Sequence, residues 1–456
     1  MGFVLLGVFT AIEIALLVIT FTKRQEKADW LQNRVICRAA ETAVFVLALL
    51  LPQVSWDFRF RLCFFILLIR AILALVIWLL RKKKTSGKKS KPGAALSAFG
   101  GILILALSLV PAFLFTGYEG LETTGVYGVK QVRAILVDES RKESFETDGS
   151  KREVPVYFYY PDAENAGENV FPLVIFSHGA FGYYQSNTST YMELASNGYV
   201  VISLDHPYHS FFTRDTDGKL ITVNPDFLQE VMAANEESAT EEEIFALSRK
   251  WLSIRTADIN FVLDSVKNAK AEESCPAEWF IESEETGNEI SKALAMADIA
   301  HIGLMGHSMG GAASVSVGRE RDDIGAVIDL DGTMLGEQLS YEDGVYQYND
   351  AAYPAPLLAI DNEEHYQYYR EDAEKEELYV NQAVLENTVA GEHTYFVGSG
   401  HMNFTDLPLF SPILASLLGT GTVDETECVR TMNEIILQYY NFWLKGEGEI
   451  NIKESY

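Results

Sequence analysis

Four long apolar runs fill most of the first 116 residues, and they constrain the fold more than any motif does. They are GFVLLGVFTAIEIALLVITF from Gly2, ETAVFVLALLLPQVSW from Glu41, FRFRLCFFILLIRAILALVIWLL from Phe58 and AALSAFGGILILALSLVPAFLF from Ala94. A helix needs roughly 20 apolar residues to cross a bilayer. Three of the runs have that length, and the second has it once Val35 to Ala40 are added. The reading is four transmembrane helices. A chain that returns to the membrane three times after its first run, and lacks a basic start, is not read as carrying a cleaved signal peptide.

Charge changes at the same point. Residues 1–116 hold fifteen Lys and Arg against five Asp and Glu, a net of +10, so the whole-chain charge of −28 leaves −38 on residues 117–456. Two units follow: a membrane region, 1–116, and an acidic domain, 117–456. Lys and Arg are retained on the cytoplasmic side. They gather in the first loop, with Lys23, Arg24, Lys27, Arg34 and Arg38, and in the third, RKKKTSGKKSK from Arg81. That pattern turns both chain ends outward and predicts a multi-pass cell-membrane protein whose acidic domain is extracytoplasmic. Glu13 and Arg70 fall near the middle of the first and third runs, where an unpaired charge is costly, so both are expected to face the bundle interior.

Beyond Tyr118 the pattern is of short β-rich runs separated by amphipathic stretches. VKQVRAILVD and VPVYFYYP form a leading pair, followed by PLVIFSHG, YVVISLDH, HIGLMGHS, GAVIDLDG, PLLAIDN and HTYFVGSGH. Strand alternating with helix predicts an α/β domain on a mainly parallel sheet. Residues 211–246 interrupt the rhythm with an acidic, helical insertion, placed where a lid over a site would lie. Cys275 and Cys428 are the only cysteines of the acidic half and are candidates for one disulfide. An acidic domain without a basic stripe argues against nucleic acid as a partner.

Within HIGLMGHSMGGAASVSVG, residues 301–318, an apolar run leads into Gly306-His307-Ser308-Met309-Gly310 and then into small residues. In G-x-S-x-G the glycines permit a sharp strand-to-helix turn that exposes the serine oxygen above the sheet. A serine hydroxyl needs a base, and the base needs a carboxylate to hold its tautomer. Chain order in this architecture is serine, acid, histidine, which leaves His365, His393 and His401. His401 follows a late strand and sits in a loop, where catalytic groups concentrate. Asp331 and Asp361 each end a strand, and position alone does not choose between them. The oxyanion needs two amides, one from Met309 and one from the loop after an earlier strand; FSHGAFG supplies Ala180. Tyr183 and His206 are candidate substrate contacts.

The stretches DESR, REVPVYFYYP, VIFSHG, GHSMGG, DLDGTM and GSGHMNF, in this order over residues 124–445, resemble the plasma-type platelet-activating factor acetylhydrolases, a branch of the α/β-hydrolases close to dienelactone-hydrolase-like esterases. The resemblance implies an α/β-hydrolase fold with Ser308, Asp331 and His401 as triad, and so selects Asp331 over Asp361. It also implies hydrolysis of acyl esters, phospholipids among them, with no cofactor and no metal. Gly332 and Thr333 stand where the family often has a bulkier, aromatic pair. The expected protein is a membrane-anchored serine ester hydrolase acting on a small-molecule or lipid ester. Transfer of the acyl group to a sugar or lipid hydroxyl, or binding without catalysis, are its alternatives, and oligomeric state is left open.

Overall fold

The structure is a computed structural model that describes residues 1–23, 25–84, 86–163, 170–236, 238–276, 278–374 and 379–456. Arg24 of the first basic loop, residue 85 of the third and residue 237 of the insertion lie outside the described residues. The chain divides into two compact units, Met1–Glu119 with Leu409–Leu414, and Gly120–Pro408 with Ala415–Tyr456.

In the first unit the apolar runs become the helices Gly2–Lys23, Lys27–Ala48, Phe58–Arg81 and Lys91–Ser108. Among the described residues three helices, not the expected four, are long and apolar enough to cross a membrane. The second helix falls short because it begins early and ends at Ala48. It therefore includes Lys27, Asp29, Arg34, Arg38 and Glu41, while Leu49, Leu50 and Leu51 lie beyond its end. Phe9, Phe45, Phe60, Cys63, Leu67 and Leu105 form the packed centre. Glu13 and Arg70 do pair, and two further residues join them. Arg38 Nη1 lies 2.6 Å from both Glu13 Oε1 and Glu41 Oε1, and Arg70 Nη2 contacts Glu13. Two acids and two guanidinium groups thus pair inside the bundle, so none of them is a buried charge without a counter-charge.

The second unit is built on a nine-stranded sheet. Its spatial order is 391–396, 357–362, 324–330, 297–307, 171–177, 200–204, 151–161, 129–142 and 279–280. From 391–396 through 200–204 neighbouring strands are parallel; the strands 151–161, 129–142 and 279–280 are antiparallel to their neighbours. The central strands are continuous apolar runs, as a sheet covered on both faces requires. Val174, Ile175, Ile202, Leu304, Val327 and Ile360 are all buried. Helices Glu241–Ala271, Met309–Glu320 and Glu425–Tyr440 are among those that flank it. Loops after the parallel strands meet at the carboxyl ends of the sheet, where open α/β sheets place their sites.

Two expectations are corrected here. The insertion is not wholly helical: a hairpin of Phe212–Arg214 and Leu220–Thr222 precedes the helix Pro225–Ala234. Cys275 and Cys428 are both free thiols rather than a disulfide. Cys275 Sγ lies 3.5 Å from Ser291 Oγ, whereas Cys428 is buried and donates to the Asn403 carbonyl at 3.8 Å.

Candidate active site

The strand Ala297–His307 runs directly into the helix Met309–Glu320, and Ser308 is the single residue between them. Its φ of 55° and ψ of −125° are strained for a side-chain-bearing residue. The turn closes only because its neighbours are glycines. A methyl on Gly306 would lie 2.2 Å from the carbonyl carbon of Gly310, and one on Gly310 would lie 2.0 Å from the Ser177 oxygen. The Ser308 amide donates to the Leu330 carbonyl at 2.8 Å, which ties the turn to the end of the next strand.

Asp331 follows immediately on that strand, also with positive φ. Its Oδ2 accepts from His401 Nδ1 at 2.6 Å. Asn362 donates to Oδ1 from its backbone at 2.8 Å and to Oδ2 from its side chain at 2.7 Å. Burial opposes charge on this carboxyl, but hydrogen bonds from His365 and His401 outweigh it and hold the group well below the usual carboxylate range. His401 stands in a short turn, His401–Phe404, braced by Asn403, whose Oδ1 accepts from the Gly400 and Gly421 amides. His307 donates from Nε2 to the His401 carbonyl at 3.1 Å, and the two rings lie 4.6 Å apart. Burial, then the His401 charge, draws the His307 pKa down to about 3. Among the described residues no hydrogen bond joins Ser308 Oγ to His401, a contact that often tightens only when substrate binds.

Ala180 and Met309 belong to one apolar cluster with Phe227 and Trp251. Among the described residues neither of their amides donates to a protein acceptor. Phe227 comes from the insertion, so the insertion does pack over this pair. Gly179 separates Ala180 from His178 and brings the loop against the serine: a methyl there would lie 3.3 Å from Ser308 Cβ.

Tyr183 is half-buried, its ring 5.3 Å from that of Phe212 at the start of the insertion. His206 is a correction. Rather than facing the cleft, it is wholly buried, with Nε2 2.9 Å from Ser177 Oγ and Nδ1 2.9 Å from Asp258 Oδ2. Burial, then the Arg255 charge, holds its pKa at about 4, so it supports the loop from beneath as a neutral ring.

Sequence reasoning missed His365. Named there only as one of three candidate bases, it is half-buried between two carboxylates. Nδ1 lies 3.3 Å from Asp331 and 3.2 Å from Asp361, and Nε2 lies 2.8 Å from the Tyr379 hydroxyl. Burial disfavours its charge, but Asp361 and Asp331 raise its pKa far above the ordinary histidine value. Asp361 in turn meets His393 at 2.7 Å. The signal available in sequence was the spacing Asp361-x-x-x-His365, one helical turn, at a strand end. Asp331, Asp361 and His365 bring three ligand-type atoms within 4.8 Å of one another. The Asp331 oxygens are engaged by Asn362 and two histidines, and Asp361 Oδ1 faces His365 Nδ1 at 3.2 Å.

A serine at a strained strand-to-helix turn, with a carboxylate–imidazole pair carried at the ends of two parallel strands on either side of 357–362, places this domain among the α/β-hydrolases. Residues 150–451 match the family of platelet-activating factor acetylhydrolase, isoform II, and the chain belongs to that family. It is 22% identical over 286 residues to the platelet-activating factor acetylhydrolase of Canis lupus familiaris, covering 59% of this chain and 56% of the relative. It is 24% identical over 217 residues to a "probable 1-alkyl-2-acetylglycerophosphocholine esterase" of Arthroderma benhamiae, covering 47% of this chain and 41% of the relative. The chain thus spans about half the length of the curated relatives it matches. A ferulic acid esterase from Streptomyces cinnamoneus shares the fold with a TM-score of 0.51 at 20% identity, over 74% of this chain and 97% of that one.

Proposed function

We propose that this chain is a membrane-anchored serine hydrolase of carboxylic esters, with Ser308 as nucleophile, His401 as general base and acid, and Asp331 as the group that orients the imidazole. The observation that carries this reading is the 2.6 Å contact of His401 Nδ1 with Asp331, beside a serine held at a strained turn. Bonding at Nδ1 leaves Nε2 as the proton acceptor. Ser308 Oγ attacks the ester carbonyl as its proton passes to His401, and the amides of Ala180 and Met309 receive the oxyanion. His401 then protonates the leaving alcohol. Water, deprotonated by His401, releases the acyl group and restores the serine.

Water is favoured over a sugar or lipid hydroxyl because the His401 side chain is 41% exposed. Acyl transfer requires the base to be kept dry after acylation. A small or lipid ester, a phospholipid among the choices, suits a site carried on a chain with three membrane-length apolar helices. The basic loops support an extracytoplasmic position for the acidic unit; resistance of that unit to protease added to intact cells would overturn it. Full-length protein in detergent should be labelled by a fluorophosphonate probe and should hydrolyse p-nitrophenyl acetate, and Ser308→Ala should lose both. A folded wild-type protein that is neither labelled nor active would leave a binding scaffold in place of an enzyme.

A further inference from the structure

Arg255 lies midway along the helix Glu241–Ala271 and is completely buried. Buried guanidinium groups are ordinarily matched to a carboxylate. Asp258, one turn away, is committed elsewhere, to Arg152 at 2.6 Å and His206 at 2.9 Å. Among the described residues Arg255 has no carboxylate within salt-bridge distance. Its Nη1 donates instead to the His178 carbonyl, its Nη2 to the Gly179 carbonyl at 3.2 Å, and its Nε reaches His209 Nδ1 at 3.4 Å. Burial draws its pKa down to about 9, offset only in part by the Asp258 charge. A costly group is thus spent on two main-chain oxygens of one loop.

Those two oxygens set the direction of the amides that follow them. In a planar trans peptide the N–H points away from the preceding C=O. The Gly179 carbonyl also accepts from His178 Nδ1 at 2.7 Å and from the Gly182 amide at 3.1 Å. With three donors on its far side, the Gly179–Ala180 peptide has one orientation open to it. Its N–H turns to the face opposite Arg255. The loop itself lies against Ser308.

We propose that Arg255 is the positioning residue of the oxyanion site, fixing the His178–Gly179 and Gly179–Ala180 peptide planes so that the Ala180 amide meets the oxygen developing on the ester carbonyl. Its charge, one peptide away from that oxygen, strengthens the same amide as a donor. The proposal rests on the reading of Ser308 and Ala180 given above.

The test uses full-length Arg255→Gln and Arg255→Lys in detergent, with serine sites counted by fluorophosphonate titration carried to completion. Wild-type labelling that vanishes in Ser308→Ala is the control on the underlying reading, and its failure is separate from a failure here. For Arg255→Gln, kcat per titrated serine should fall by roughly 10²–10³-fold, the loss typical of one missing oxyanion donor, with KM within about threefold. Inhibition by a trifluoromethyl ketone, whose adduct carries the oxyanion, should weaken by a similar factor. Arg255→Lys, which keeps the charge but cannot fork across two carbonyls, should lie between. A purely structural arginine would lower the number of titratable sites and leave kcat per site and ketone affinity unchanged. That result in either variant overturns the proposal, and the lysine variant decides it should the glutamine variant fail to fold.

Discussion

Replacing Asp331 by Asn separates the two aspartates that sequence position could not. Each Asp331 oxygen faces two nitrogens: Oδ1 has the Asn362 amide at 2.8 Å and His365 Nδ1 at 3.3 Å, and Oδ2 has Asn362 Nδ2 at 2.7 Å and His401 Nδ1 at 2.6 Å. An asparagine has one oxygen and one NH₂, so whichever way it turns, an NH₂ meets two donors. The cost of two unmade buried bonds is about 2–4 kcal/mol of stability. Catalysis should suffer more, because the imidazolium formed in the reaction loses its counter-charge and the ring its tautomer. By analogy with triads generally, kcat should fall by about 10⁴-fold, or about 5.5 kcal/mol. Asp361 touches His393 and His365 but not His401; Asp361→Asn should therefore cost less than about tenfold. The assay is p-nitrophenyl acetate hydrolysis per fluorophosphonate-titrated serine. An Asp361→Asn loss equal to or greater than that of Asp331→Asn would refute the assignment of the acid.

Acid should destabilise the catalytic unit below about pH 6. His178, His206, His209 and His307 are held neutral chiefly by burial, so the unfolded chain gains four protons there that the fold refuses. Asp205 and Asp406, raised by burial to about 7, and Asp329, raised by burial and then by the Asp361 charge, offset three of them. The balance is a loss of about 1.4 kcal/mol per pH unit as pH falls from about 6 toward 4. His365, raised far above its unfolded value, acts in the other direction, so its contribution is complete below about pH 6.5 and declines as pH rises. Melting followed by tryptophan fluorescence should peak near pH 6; a higher midpoint at pH 4.5 than at pH 6 contradicts the argument. In the helical unit, Arg38→Leu strands Glu13 and Glu41 against Arg70 alone and should cost about 3–5 kcal/mol in detergent denaturation. Phe227→Ala opens the wall over Met309 and should raise the octanoate-to-acetate ratio of kcat/KM by about tenfold, with a stability loss of about 3 kcal/mol; an unchanged ratio would place the acyl chain elsewhere.

All eight strands expected from β-rich runs are present in the sheet, because each is a local run of apolar residues that must be covered on both faces. The ninth, Trp279–Phe280, is two residues long and exists only through its pairing with Ile135 and Leu136; no run that short carries a signal of its own. The second apolar run misled for a related reason. Hydropathy counted Leu49 to Leu51 into a span, whereas the helix ends at Ala48 and starts far enough upstream to take in four charges beyond Lys27. Arg38 and Glu41 looked like loop and boundary residues, yet with Glu13 and Arg70 they form one neutral interior group. Only the packing of three helices makes that visible.

The site divides along the same line. The strained turn at Ser308 was legible because it is written in five consecutive residues, and the nearness of Ala180 and Met309 because each lies in a short local segment. His206 was misplaced for the converse reason. A strand end predicts access to the cleft, but Ser177 and Asp258, from a neighbouring strand and a distant helix, close over both of its nitrogens. Arg255 carries no motif and His365 only its spacing from Asp361, and each acts through a partner remote in sequence: the His178 carbonyl, 77 residues earlier, and Asp331, 34 residues earlier. What a short motif encodes is the reacting atom and its turn. The charge beside the carboxylate and the cation behind the oxyanion loop follow from tertiary packing, and on this reading they set how well that atom works.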